Sequence, residues 1–202
     1  MTQKKFEVAV ELIDAANSED TNLETSDGKE LPKELLYSHR MSDMQQRYAA
    51  DTDDAMKLAL RAQHIQRWKY PRNEYPMDRK GYHLWRTNLY SFHADTVAAL
   101  LLEAGYDDEF IKRVKLAVSK KSLNSNLDTQ LLEDVSALVF IEHYMLAFVE
   151  KHPEYDEDKW ISIIKRTWNK MTEKGHAFAL SGSIKLPESL IPLIQKAVSS
   201  GE

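Results

Sequence analysis

In this 202-residue chain, three histidines and one aspartate occupy positions where their side chains could bind a metal or transfer a proton. His39, His64 and His93 each fall on the apolar face of a different predicted helix. Asp134 lies among leucines at helical spacing on a fourth. Ionised carboxylates avoid apolar faces unless they are paired or bind a metal. Four inward side chains from four helices predict a metal or proton-transfer site inside a bundle. The alternative is that each histidine is an ordinary core residue and that Asp134 pairs with an arginine.

The chain contains no cysteine, so only nitrogen and oxygen ligands are available for a metal. We expect a divalent ion (Mn, Fe, Zn or Mg), whose identity the sequence leaves open. Such an ion lowers the pKa of a bound water molecule. His64 and Asp134 are therefore predicted to be catalytic. Glu133, about 100° from Asp134 around the helix, is predicted to assist as a partner of the ligands or as a proton acceptor.

A basic and aromatic stretch surrounds His64 and extends towards His93. Residues 61–86 hold seven basic and two acidic side chains, a balance of +5 in a chain of net charge −5. Arginine binds phosphate or carboxylate, and aromatic rings stack on bases. This predicts binding of an anionic small molecule or nucleotide, with RNA as a further partner, by Arg72, Arg79, Arg86, Trp68 and Tyr75. The alternative is that the tryptophans are core residues and that the arginines pair with the acidic remainder of the chain.

Apolar residues that recur every three or four positions predict an all-α fold of about eight helices. Strand-like alternation with turn dipeptides is not apparent, and the polar residues 18–31 read as a linker. Residues 70–77 contain two prolines and are expected to form a loop. The predicted helices are 3–16, 32–50, 53–69, 80–104, 108–121, 128–151, 157–174 and 188–199.

The length fits a single domain, 1–202. The first residues do not resemble a signal peptide, and no apolar run approaches the ~20 residues needed to span a bilayer. We therefore expect a cytoplasmic protein with no membrane partner, while the sequence sets no oligomeric state. Dinucleotide-binding, P-loop, α/β-hydrolase and zincin motifs are not found, so those activities lack support.

The runs LYSHRMSDM, MKLALRAQHIQRW, LYSFHADTVAALLLEAGYDDEFIKRVKLAVSKKSL and TQLLEDVSALVF resemble, in this order, the HD-domain phosphohydrolase superfamily. The resemblance covers residues 32–150 and implies an HD-domain-like helical bundle with metal-dependent phosphohydrolase activity. His39 matches the first histidine of the pattern, and Asp134 matches the late aspartate. The helices within 157–202 are then expected to pack on this core.

The chain departs from that pattern where a His-Asp pair is expected, because it has Gln63-His64-Ile65. Either His64 replaces the aspartate and Gln63 the histidine, or the register slips by one and Ile65 replaces the aspartate. Both alternatives weaken a two-metal site. The histidine often found after the fifth helix is replaced by VSKKS, and His93 is expected to compensate as a ligand.

A longer string, QHIQRWKYPRNEYPMDRKGYHLWRTNLYSFHAD, together with LLEDVSALVFIEHY and KRTWNKM, resembles the family catalogued as domain of unknown function 4202. This resemblance extends over most of the chain and implies no particular activity. The sequence is therefore consistent with two functions. One is a divergent HD-like metal-dependent hydrolase that acts on a phosphorylated small molecule or nucleotide. The other is a non-catalytic nucleotide- or RNA-binding module that uses residues 61–86.

Overall fold

The computed structural model describes residues 2–123 and 125–199, and these residues are mostly helical. None of the helices within them combines the length and apolar character needed to cross a membrane. The described residues form one two-stranded sheet and ten α-helices: α1 (Thr2–Ser18), β1 (Leu23–Ser26), β2 (Lys29–Pro32), α2 (Lys33–Tyr48), α3 (Asp54–Arg61), α4 (Arg79–Glu103), α5 (Asp108–Val118), α6 (Leu127–Val139), α7 (Met145–Glu150), α8 (Glu157–Trp168), α9 (Glu173–Leu180) and α10 (Ile191–Ser199).

The chain divides into two compact units, one up to Leu132 and one from Glu133. In the first unit, α4 packs on α5, α5 on α3, and α3 on α2, while α1 contacts α2, α3 and α4. Apolar side chains from these helices form its core, among them Met41, Leu58, Val97, Leu101 and Val114. In the second unit α10 packs on α8, with Ile164 and Ile194 buried. The single domain, the HD-like arrangement and the packing of 157–202 on the core stay predictions.

A β-hairpin occupies most of the stretch that the sequence suggested was a polar linker. Strands β1 and β2 pair antiparallel, with Ser26 opposite Lys29, so that only two residues form the turn. These are Asp27 and Gly28, with φ of 50° and 74°. Two positive φ values at the centre of a two-residue loop are what a type I′ turn requires, and Asp-Gly is a preferred pair for it. The prediction of a polar linker without strands at 18–31 was therefore wrong, because the Asp27-Gly28 turn pairs two short polar strands that show no apolar alternation.

The helix predicted over 53–69 ends early, at Arg61. Residues 62–66 form turns, and Gln66 has a φ of 50°. Two of their backbone groups bond to side chains of other helices. The Gln66 N–H donates to Asn17 Oδ1 at 3.0 Å, and the Ile65 carbonyl accepts from His93 Nδ1 at 2.8 Å. These tertiary hydrogen bonds compensate the lost helical ones and hold the turn that carries His64.

The helices predicted at 3–16, 32–50, 80–104 and 108–121 agree with α1, α2, α4 and α5 to within three residues at each end. The one predicted at 128–151 is interrupted by a π-helical turn, Phe140–Tyr144. The one predicted at 157–174 ends at Trp168. A new helix, α9, starts after Thr172, whose side chain accepts a hydrogen bond from Gly175 N at 3.1 Å. This hydroxyl cap explains the restart, since threonine is a favoured N-cap residue.

Candidate anion-binding site

A small pocket lies in the first unit between the turn after α3, the N-terminal half of α4 and the end of α5. Its volume is about 130 Å³. Among the described residues that line it, three side chains are cationic and none is a carboxylate. The lining residues are Gln63, His64, Arg67, Tyr82, Trp85, Arg86, Leu89, Tyr90, His93 and Lys120.

Two tyrosines of α4 hold Arg86 in the pocket wall. Tyr82, Arg86 and Tyr90 are spaced four residues apart and therefore share one face of the helix. Arg86 Nη1 donates to the Tyr82 hydroxyl at 3.0 Å, and Nη2 donates to the Tyr90 hydroxyl. The guanidinium also lies 5.1 Å from the centre of the Tyr90 ring. Both partners are hydroxyl groups, so they orient the guanidinium by hydrogen bonds and form no ion pair with it.

Arg67 is positioned by a tryptophan and a histidine. Its guanidinium lies 5.3 Å from the centre of the Trp85 ring, and its Nη1 donates to His64 Nε2 at 2.9 Å. Trp85 is buried, and its indole N–H donates to the Tyr70 carbonyl at 2.8 Å, which fixes the ring. Among the described residues no carboxylate lies within ion-pair distance of Arg67 or Arg86.

His64 is stacked on Tyr37, with ring centres 4.1 Å apart, and 22% of its side chain is exposed. Arg67 Nη1 lies 2.9 Å from His64 Nε2 and 3.4 Å from His64 Nδ1, and since arginine can only donate, the neutral ring accepts from it. Nδ1 lies 3.6 Å from Glu34 Oε2. Burial, followed by the nearby charge of Arg67 and other cations, holds the pKa of His64 well below its usual value.

His93 is buried in α4, with its ring centre 6.0 Å from that of His64. Its Nδ1 lies 2.8 Å from the Ile65 carbonyl, which can only accept, so Nδ1 carries the proton and Nε2 has a free lone pair. Burial and, next in size, the neighbouring His64 lower the pKa of His93 to about 3. Both histidines are therefore neutral at neutral pH.

Glu34 is the acidic group beside this site. It lies buried in the first turn of α2, and burial raises its pKa to about 7, against the opposing effect of Arg67 and Lys33. Burial therefore favours the protonated form of this carboxyl group, whose Oε2 lies 3.6 Å from His64 Nδ1. It can therefore accept or supply a proton there under mild conditions.

The structure brings together two of the four predicted metal ligands, His64 and His93. It differs from the expectation that His39 faces the interior. The His39 side chain is 45% exposed and lies 3.7 Å from Asp14 Oδ2, a carboxylate that also pairs with Arg61. No group of three or more His, Asp or Glu side chains in the described part of the chain is placed to hold a metal ion.

Asp134 belongs to the second unit, where it supports the start of α9. Its carboxylate accepts from the Thr172 backbone N–H at 2.9 Å and from the Thr172 hydroxyl at 2.5 Å. Glu133, the predicted assistant, is also buried. The hydrogen bonds from Thr172 satisfy the inward carboxylate by ordinary structural means.

Of the predicted substrate-binding residues, Arg86 lines the pocket and the other four do not. Arg72 donates to two carbonyl oxygens of its own loop, those of Tyr75 at 3.0 Å and Asp78 at 3.3 Å. Arg79 is exposed at the start of α4, and Trp68 and Tyr75 are half-buried. The loop arginine thus stabilises the loop, and the pocket cations come from elsewhere.

Sequence reasoning missed Arg67, Lys120 and Glu34 as site residues. Arg67 carried a usable signal, since it follows His64 by three positions in the basic stretch. Glu34 carried a weaker one, as an acidic residue within an apolar helix start. No sequence pattern indicated Lys120, because its position depends on a left-handed turn at a residue other than glycine.

The fold and the pocket define a mostly helical protein with a small cavity that is shaped by α4 and lined by three cationic side chains. The family model described as domain of unknown function DUF4202 matches residues 7–194, and the chain belongs to this family. Neither the curated proteins nor the solved structures contain a significant match to the chain. The likeness to HD domains stays a prediction.

Proposed function

We propose that the protein binds the phosphate group of a phosphorylated small molecule or nucleotide in the pocket beside His64. The observation that carries this proposal is the composition of the described lining, with three cations and no carboxylate. Arg67 and Arg86 offer planar forks of donors that match phosphate oxygens. A cationic ligand would be repelled by these side chains.

The two neutral histidines suit the same ligand. The pKa of His64 is depressed by burial and then by the cations around it. A bound dianion would offset the effect of those cations and favour a protonated ring. His64 would then add a donor to the phosphate or pass a proton on. Anion binding is therefore expected to be accompanied by proton uptake.

Hydrolysis of the bound phosphate ester is a second candidate function, favoured by the position of His64 between Arg67 and Glu34. A histidine whose far nitrogen faces a carboxylate is well placed to exchange a proton with water or with a leaving group. A divalent metal (Mn, Fe, Zn or Mg) belongs to the metal-dependent version of this proposal, with His64 and His93 as ligands. Two ligands alone are a weak site, so the proton-transfer role of His64 does not depend on the metal.

Turnover of p-nitrophenyl phosphate, with and without added divalent metals, tests the hydrolase. His64→Gln is expected to abolish turnover and to retain part of the phosphate binding, because Arg86 and Lys120 remain. Elemental analysis of the purified protein tests whether it contains a divalent metal. Phosphate or nucleotide binding without turnover under any of these conditions would instead favour the non-catalytic module.

Calorimetric titration with inorganic phosphate tests the binding proposal. Arg86→Ala removes a pocket cation, whereas Arg79→Ala removes an exposed arginine from the first turn of the same helix. Loss of a hydrogen bond to a charged group predicts about ten- to hundredfold weaker binding in Arg86→Ala. Arg79→Ala should bind as the wild type does. Equal affinities of the two variants, or no binding by the wild type, would contradict the proposal.

A further inference from the structure

Lys120 adopts a backbone conformation that is unfavourable for a lysine. Helix α5 ends at Val118 and is followed by Ser119, after which Lys120 has a φ of 53°. Its backbone N–H donates to the Ala117 carbonyl at 2.9 Å and closes the helix end. Glycine is the usual residue at such a left-handed position, because a side chain crowds the backbone there.

The side chain of this strained residue lines the pocket. The Lys120 ammonium lies 6.0 Å from the centre of the Tyr90 ring, the same ring that contacts the Arg86 guanidinium at 5.1 Å. A glycine would relieve the backbone and remove this cation. Strained backbone positions cluster at ligand-binding sites, and of the two such residues in this turn, Lys120 lines the pocket whereas Ser122 is exposed. The position of Lys120 in the lining indicates that its task is at the pocket.

The size of the pocket limits what enters it. Its volume of about 130 Å³ is well below the roughly 300–1,000 Å³ of sites that enclose a whole small molecule. It can therefore take one group of the ligand, with the rest outside. A terminal phosphate enters with three free oxygens, whereas an internal phosphodiester must lead a chain out on two sides.

The positive charge of the pocket lining also favours a terminal phosphate. A terminal phosphate is largely dianionic at neutral pH, because its second pKa is about 6, whereas a diester carries one negative charge. The described lining supplies the cations Arg67, Arg86 and Lys120. A dianion therefore matches the charge of this lining better than a monoanion does.

We propose that the pocket is specific for a terminal, dianionic phosphate and that Lys120 determines this specificity. This inference rests on the proposed function and narrows its ligand to phosphomonoesters. Lys120 supplies the cation that a dianion needs in addition to the two arginines. RNA, whose internal phosphates are diesters, is then excluded from the pocket except through a terminal phosphate.

The test is a calorimetric titration of the full chain at about pH 7.5, where a monoester is a dianion, with methyl phosphate and dimethyl phosphate as ligands. These differ by one methyl group and one charge. The wild type is expected to bind methyl phosphate at least about tenfold more tightly, as expected for an additional charged hydrogen bond. Similar affinities for the two esters would overturn the specificity and leave the phosphate proposal standing. A failure of inorganic phosphate and both esters to bind would instead overturn the proposed function.

The variant Lys120→Gly tests whether Lys120 determines the specificity. Glycine is favoured at a positive φ, so the melting temperature should not fall, while methyl phosphate should bind about ten- to hundredfold more weakly and dimethyl phosphate should change much less. Lys120→Asn, which also tolerates this conformation, should do the same. The matched control is Ser122→Gly, at an exposed position of the same turn with a φ of 59°, which should bind as the wild type does. A Lys120→Gly or Lys120→Asn protein that keeps the wild-type preference would refute the assignment, and a lowered melting temperature of Lys120→Gly would refute the strain.

Discussion

Burial controls the charge of the titratable side chains beside the pocket. It raises the pKa of Glu34 to about 7 and lowers that of His93 to about 3. In both cases the low-polarity surroundings disfavour the charged form. The cationic side chains of the pocket are therefore its two arginines and its lysine.

Glu34→Gln should remove a pH dependence of stability. The carboxyl pKa is 4.5 ordinarily and about 7 in the folded protein, so the folded state binds the extra proton between these values and loses stability as the pH rises through them. We expect the stability of Glu34→Gln relative to wild type to increase by roughly 1–3 kcal/mol between about pH 5 and pH 8. Urea denaturation at several pH values measures this, with the exposed Glu74→Gln as control. Parallel pH profiles of wild type and Glu34→Gln would contradict the role of burial.

The relative positions of individual site residues were predictable where the residues lie on the same helix. Arg86 and His93 are two turns apart on α4, so helical periodicity alone places them on one face. His39 shows the weakness of the same argument, because an apolar neighbourhood along the chain did not place its ring inside. Lys120 follows α5 and Glu34 lies in α2. Both reach the site through the packing of these helices on their neighbours, which periodicity within one helix does not predict.

The start of α4 is fixed by a close contact with the loop before it. Asp78 Oδ1 accepts the Gly81 N–H at 2.7 Å and caps the helix. A Cβ on Gly81 would lie 2.0 Å from the Pro76 carbonyl oxygen. Only glycine allows the loop to lie this close to the first turn of the helix that carries Arg86 and His93.

Gly81→Ala should therefore destabilise the protein despite the higher helix propensity of alanine. The methyl group forces the Pro76 backbone away, and such overpacking costs about 1–3 kcal/mol. Chemical denaturation measures the loss. Lys80→Ala, at the exposed neighbouring position, provides the control and should change stability little. If Gly81→Ala proved as stable as Lys80→Ala, the close approach of the loop would be refuted.

Whole elements were predictable where local patterns determine them. Amphipathic periodicity gave α1, α2, α4 and α5, and the Asp27-Gly28 dipeptide contained the hairpin signal. The early end of α3 was not predictable in this way. Its lost helical hydrogen bonds are replaced by contacts with Asn17 and His93, which are distant in sequence.

At the scale of the molecule, an acidic chain carries a cationic pocket. The net charge of −5 argues against broad binding to polyanions, while the described lining of the pocket holds three cations and no carboxylate. The positive balance of residues 61–86 pointed to this region, although several of its basic side chains lie elsewhere. The segregation of charge along the sequence thus indicated the region of the pocket, and the fold determines which of its basic side chains line the pocket.

NMR of the histidine rings, in the full chain titrated with inorganic phosphate, tests most directly whether the anion binds beside His64. We predict that the ring signals of His64 and His93 shift on addition of phosphate, with His64 moving towards the protonated form, because the dianion offsets the surrounding cations. The signals of the exposed His83, and of His152 beside Glu154, should stay in place. Unchanged His64 and His93 signals at phosphate concentrations that saturate binding would contradict the account.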